Sequence, residues 1–140
     1  MKKLEWTTYS TSETEKAGEE IATWITGPVV IAMFGGLGMG KTAITRGIVR
    51  GLGIEAEVAS PTFSLVNVYG ERPMVAHFDM YRITSWEDLD SAGFFDYIGA
   101  GAVLLVEWSE NIENALPADA WRLTFERIDD TTRHIVLEGT

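Results

Sequence analysis

The chain has 140 residues, 46% of them hydrophobic and 23% charged, which suits a single domain with its own core. It has no cysteine and only two histidines, which excludes disulfides, thiolate metal centres, cysteine nucleophiles and a histidine-built metal site. A formal charge of −10 opposes direct capture of nucleic acid, whose nonspecific affinity comes from Lys and Arg, and no apolar stretch is long enough to span a bilayer.

The opening Met1-Lys2-Lys3-Leu4-Glu5-Trp6 does not lead into the apolar run of a signal peptide, so a cytoplasmic location is expected. A short strand is expected near residues 3–8. The pattern Ser12-Glu13-Thr14-Glu15 then reads as a capping box, starting a helix with Ala17, Ile21, Trp24 and Ile25 on one face and Gly27-Pro28 as its stop.

The continuous apolar run Val29-Val30-Ile31-Ala32-Met33-Phe34 predicts a buried parallel strand. It leads directly into Gly35-Gly36-Leu37-Gly38-Met39-Gly40-Lys41-Thr42, a complete G-x-x-x-x-G-K-[ST] phosphate loop. Ile44, Ile48, Val49 and Leu52 follow at helical spacing, with Gly51 and Gly53 placed to end the helix. Glycines let such a loop curl so that its amides point inward, and the first helical turn from Lys41 through Ala43 adds unpaired donors and the positive end of a dipole. The result is an anion cradle in which Lys41 reaches the β- and γ-phosphates and the Thr42 hydroxyl offers a place on Mg²⁺.

Farther along, β-rich runs at 63–69 and 74–80 flank Gly70-Glu71-Arg72-Pro73 as a hairpin. Ser60-Pro61-Thr62-Phe63, just before it, sits where nucleotide hydrolases place a γ-phosphate-sensing segment, and Thr62 supplies a hydroxyl and a carbonyl there. Residues 85–98 read as two short helical pieces separated at Gly93, with Ser85 as a cap. Val103-Leu104-Leu105-Val106 is a second buried strand, and 121–127 with 133–138 alternates as a half-exposed hairpin. Buried parallel strands beside helices, with hairpins appended, give a three-layer α/β domain of the P-loop NTPase kind with a mixed parallel and antiparallel sheet. Its ligand belongs outside the carboxyl ends of the parallel strands.

Two acids emerge at strand ends. Glu107 closes the strand that looks buried on both faces and is favoured as a direct or water-bridged Mg²⁺ ligand, while Asp79 is the second acid, holding Thr42 or a water. The order of these two roles stays open. Trp108 either packs against the nucleotide or fills core. His77 reads as a hydrogen-bonded structural residue rather than a base.

In order and spacing, Gly35 to Thr42, Ser60-Pro61-Thr62-Phe63, His77-Phe78-Asp79-Met80-Tyr81-Arg82 and Val106-Glu107-Trp108 resemble the bacterial TsaE (YjeE) family over residues 10–110. The resemblance implies ATP or ADP binding with slow, Mg²⁺-dependent hydrolysis. It also implies support of partner proteins TsaB and TsaD in forming threonylcarbamoyladenosine at position 37 of tRNA, with the tRNA held only indirectly and no membrane involved. By that likeness Lys41 contacts phosphate, Thr42 and Glu107 take Mg²⁺, Asp79 is the second essential acid, Thr11 lies near the adenine and Arg133 approaches the nucleotide. The family usually carries aspartate where this chain has Gly36, and often threonine in place of Ala43. A small-molecule kinase and a nucleotide-dependent binding module are the competing readings; both share the loop and differ in what happens to the phosphoryl group.

Overall fold

In the computed structural model, residues 3–36, 39–61 and 65–139 are described. The chain runs β1 (Lys3–Thr8), α1 (Thr11–Ala22), β2 (Val29–Phe34), α2 (Lys41–Gly51), β3 (Val66–Tyr69), β4 (Val75–Asp79), α3 (Trp86–Ser91), α4 (Phe94–Gly99) and β5 (Val103–Glu107). A 3₁₀ segment over Ser109–Ala115 and the strands β6 (Trp121–Arg127) and β7 (Arg133–Glu138) complete it.

All seven strands form one sheet in the order β1-β7-β6-β2-β5-β4-β3. The inner four, β6, β2, β5 and β4, run parallel, and antiparallel strands close both sides. The expected mixed α/β sheet is therefore present, but the hairpins are not appendages. One strand of each hairpin, β6 and β4, pairs in parallel with a central strand, so β6 lies directly against the strand that feeds the phosphate loop. Local alternation reports that β6 is half-exposed, and it carries no information about which ladder edge the strand fills.

Successive residues of the central strands serve opposite layers. Ile31, Met33, Val103 and Leu105 pack with Ile21, Ile44 and Ile48 of α1 and α2. Val30, Leu104, Val106, Ala76 and Phe78 pack with Leu89 and Phe94 of α3 and α4 on the other face. Phe78 meets Phe94 and Tyr97 edge-on at 5.6 and 5.7 Å, a preferred arrangement for aromatic quadrupoles.

The cap of α1 is Ser10, two residues earlier than the Ser12 pattern suggests. Ser10 Oγ accepts from the Glu13 amide at 3.1 Å, and the Glu13 carboxylate accepts from the Tyr9 amide at 3.1 Å. Both spacings obey the same three-residue rule, and the strand β1 that ends at Thr8 selects the earlier one. The helix stops at Ala22, so Trp24 lies beyond it and is exposed rather than on the buried face.

Glycines set how closely α1 and α2 approach. A Cβ on Gly47 would sit 1.9 Å from the Glu15 carbonyl oxygen, and one on Gly18 would sit 2.4 Å from that of Ile44. No side chain fits at that crossing, so the two helices lie backbone to backbone. Arg46 and Arg50 of α2 then reach Glu15 and Glu19 of α1 along the outside, at 2.7–3.1 Å. This contact brings the start of α1 beside the start of α2.

Candidate nucleotide-binding site

The site is assembled at the carboxyl ends of the parallel strands. Beyond β2 the loop rises to Gly40, which caps α2 at φ +95°, and the amino end of α2 presents its unpaired amides there. β4 ends in Asp79 and β5 in Glu107, and the two acids are register partners in adjacent strands. Met39, Gly40, Lys41, Thr42, Ala43, Ser60, Asp79, Glu107 and Trp108 line a single cavity of about 380 Å³. Eight of these nine residues come from the motifs singled out in the sequence, and Ala43 adjoins the loop.

Lys41 is 5% exposed. Its Nζ donates to the Gly35 carbonyl at 2.8 Å and stands 4.3 Å from the centre of the Trp108 ring. Burial pulls the ammonium pKa below its ordinary value, and the fields of Glu107, Glu110 and Asp79 oppose that shift. The buried cation thus faces three carboxylates and an aromatic face.

Trp108 packs against the core beneath β4 and β5 and also lines the cavity. It adopts φ +59°, the left-handed region, as the one described non-glycine residue to do so, a conformation that costs about 1–2 kcal/mol for an L-residue. Its ring lies between Lys41 and Tyr81, the latter at 4.9 Å between centroids. The strained turn carries the chain over the end of β2, where Ser109 Oγ donates to the Val106 carbonyl at 2.9 Å.

Glu107 is buried and its Oε2 lies 2.5 Å from Nε2 of His77, which is fully buried on β4. His77 Nδ1 has no hydrogen-bond partner among the described residues. The ring therefore has one polar contact, and that contact sets the orientation of the carboxylate. His77 is thus buried and hydrogen-bonded, and its pairing across thirty residues with Glu107 is legible only in the sheet. Asp79 is less enclosed. Its Oδ1 accepts from the Tyr81 amide at 2.9 Å, and burial, followed by the repulsion of Glu107, raises its carboxyl pKa despite that hydrogen bond.

Ser60 reaches the cavity because β3 pins the preceding residue. The Tyr69 hydroxyl donates to the Ala59 carbonyl at 3.2 Å and the Asn67 amide donates to the same oxygen at 3.1 Å. Thr62, the predicted sensing residue, lies outside the described residues, as do Leu37 and Gly38 of the loop. Among the described residues a Cβ at Gly36 would meet nothing within 4 Å.

A second cleft of about 210 Å³ opens on the other side of Gly40 and Ala43. Ser10, Thr11, Thr14, Asp130, Thr131 and Arg133 complete its lining. Thr11 and Arg133, 122 positions apart, are thus brought together. The α1–α2 crossing supplies one wall and the β6–β7 turn the other. The Arg133 guanidinium is steadied by the turn's own carbonyls, Asp129 at 2.7 Å and Thr132 at 3.1 Å.

A Mg²⁺ ion fits the donors present. Asp79, Glu107 and the Thr42 hydroxyl share one cavity, and among the described residues no group of three His, Cys, Asp or Glu side chains is placed to hold a metal ion by itself. Few carboxylates, a hydroxyl and an open side are what Mg²⁺ takes when it keeps waters and binds phosphate oxygens. Glu110, to which no sequence motif points, accepts from the Gly35 amide at 3.0 Å.

A glycine-rich loop between a buried parallel strand and a helix, with acids at the ends of the two neighbouring strands, defines a P-loop nucleotide-binding domain. The profile of the family described as "Threonylcarbamoyl adenosine biosynthesis protein TsaE" matches residues 8–135. The tRNA threonylcarbamoyladenosine biosynthesis protein TsaE of Bacillus subtilis is 34% identical over 96% of this chain and 85% of its own. The Treponema pallidum protein of the same name is 31% identical over 91% of this chain and 95% of its own. The crystal structure of Bacillus subtilis YdiB superposes with a TM-score of 0.79 at 31% identity, over 99% of this chain and 86% of that one. The chain belongs to the TsaE family. Among the described residues no helix is long and apolar enough to cross a membrane.

Proposed function

We propose that this protein binds Mg-ATP in the loop cavity and hydrolyses it slowly as the nucleotide-dependent component of tRNA threonylcarbamoyladenosine formation at position 37. It acts in the cytoplasm with TsaB and TsaD, and the tRNA is held by those partners. The observation that carries the reading is the convergence of Lys41, Thr42, Asp79 and Glu107 on one cavity. A strongly negative chain is consistent with a role beside tRNA rather than on it.

In this reading the amides at the start of α2 and Lys41 bind the β- and γ-phosphates. For that, the Lys41 ammonium exchanges its Gly35 carbonyl partner for, or shares it with, phosphate oxygens. Thr42 and Glu107 would hold Mg²⁺, which neutralises phosphate charge when bound. His77 occupies Glu107 Oε2, which would leave Oε1 to serve the ion. Asp79 accepts a hydrogen bond from the attacking water and orients it in line. Trp108 shields the Lys41 side of the cavity from solvent, which strengthens each electrostatic contact inside. The adenosine end extends over Gly40 and Ala43 toward Thr11 and Arg133.

Calorimetric titration of Mg-ATP and Mg-ADP into the folded protein tests the cavity, and phosphate release with and without TsaB and TsaD tests the role. Saturable heat is expected, with turnover raised by the partners. Lys41→Ala and Glu107→Ala are each expected to remove that gain, on the order of 10²–10³-fold. No heat with either nucleotide would overturn the reading, and phosphate transferred to a small acceptor rather than to water would replace it with a kinase.

A further inference from the structure

β5 pairs with β2 only as far as the Ala32–Val106 partners, and beyond Glu107 it turns away through the left-handed Trp108. The loop residue Gly35 consequently emerges from the sheet without a strand on that side. On its other side it is already closed in by β6, where a Cβ would meet Phe125 at 3.2 Å, and its φ of +144° lies in the range that favours glycine.

The place left by β5 is taken by a side chain. The Glu110 carboxylate accepts from the Gly35 amide at 3.0 Å, while the Gly35 carbonyl accepts from Lys41 Nζ at 2.8 Å. One glycine is thus gripped at both polar groups by side chains of opposite charge.

Glu110 is also held where it stands. Asn111, its neighbour, donates through Nδ2 to the Met80 and Tyr81 carbonyls at 2.8 and 3.2 Å, and its amide donates to the Trp108 carbonyl at 3.1 Å. The Ser109 hydroxyl fastens the same turn to Val106. The segment carrying Glu110 is tied both to β5 and to the chain leaving β4.

We propose that Glu110 is a positioning residue of the phosphate loop: by holding the Gly35 amide it fixes the base of the loop and aims the Gly35 carbonyl at Lys41, pre-setting the lysine for phosphate. The proposal rests on the nucleotide reading above. It assigns Glu110 no contact with nucleotide or metal. Its carboxylate also opposes the lowering of the Lys41 pKa by burial.

The alternative effect of this carboxylate is repulsion of the triphosphate, and the two effects have opposite signs. Glu110→Gln removes the charge and keeps an acceptor oxygen; Glu110→Ala removes both. With Mg-ADP and Mg-ATP in calorimetry, Glu110→Ala is expected to bind about tenfold more weakly than wild type, as for loss of one charge-assisted hydrogen bond. Glu110→Gln is expected to stay within about threefold, since a neutral acceptor retains part of that bond. Tighter or unchanged binding by Glu110→Ala would overturn the proposal, as would equal weakening in both variants.

Amide exchange at Gly35, read by NMR in the nucleotide-free protein, supplies a second measurement that depends on neither turnover nor nucleotide. Protection in wild type that is lost in Glu110→Ala is expected, and a fast-exchanging Gly35 amide in wild type would sink the contact itself. If wild type shows no heat with nucleotide yet Gly35 is protected, the nucleotide reading fails while the Glu110 contact stands.

Discussion

The two clefts on either side of Gly40 and Ala43 are built from different materials. The loop cavity draws its polar groups from the start of α2 and the ends of buried strands, and Lys41, Glu107 and the His77 that backs Glu107 are nearly or wholly removed from solvent. The cleft beyond Gly40 is made from the exposed start of α1 and a hairpin turn, and its charged members Asp130 and Arg133 keep access to water. Electrostatic energies scale inversely with the effective dielectric, so charged contacts are stronger in the first cavity than in the second. Substitutions in the first should alter stability and turnover together, and those in the second should alter affinity alone.

The strongest test of that contrast is His77→Ala. It leaves a buried Glu107 carboxylate oxygen without its hydrogen-bond partner, and stranding a buried polar group in this way costs about 1–3 kcal/mol. Urea denaturation should register that loss, and phosphate release in the presence of TsaB and TsaD should fall with it. A loss below about 1 kcal/mol, the size of an exposed pair, would place His77 with the surface contacts and erase the distinction.

Asp79→Asn sharpens the comparison in the opposite direction. Because the folded protein holds the Asp79 proton more tightly than the unfolded chain does, it binds more protons above the ordinary carboxyl pKa of 3.8. Stability contributed by this group therefore falls as pH rises through that window, and the full cost is present at neutral pH. The asparagine variant should melt at a higher temperature than wild type at neutral pH, with the advantage shrinking as pH falls toward 4. Its turnover should collapse nonetheless. A lower melting temperature at neutral pH would show that Asp79 is a stabilising group and not one held ready at a structural cost.

The smallest effect is expected at the second cleft. Arg133→Ala should weaken Mg-ATP binding about three- to tenfold, the worth of one or two partly exposed hydrogen bonds. Turnover at saturating nucleotide should hold, since the affected contact lies away from the reacting phosphate. A fall in saturated turnover would mean that the hairpin takes part in the chemistry.

Much of this site is legible in local sequence because its parts are local devices. A curled glycine loop, the first turn of α2 and an acid at the end of each apolar strand are specified by contiguous residues, and a parallel sheet brings strand ends to one rim. The outlying pieces are legible only in part. Ser12 satisfies the capping pattern as well as Ser10 does, and β1 decides between them. Thr11 and Arg133 are suggested by family resemblance, and their meeting depends on the glycine-set crossing of α1 and α2.

By itself the sequence determined the phosphate-loop motif, the strand, loop and helix that carry it, and the two acids at the neighbouring strand ends, because each of these is encoded within a few neighbouring residues. Tertiary structure alone decided that β6 lies beside β2, that His77 orients Glu107, and that Glu110 completes the hydrogen bonding at Gly35. Those relations join residues 30 to about 90 positions apart. They follow from which ladder edge each strand fills and from where buried polar groups find partners, balances struck over the whole core and invisible in any one segment of chain.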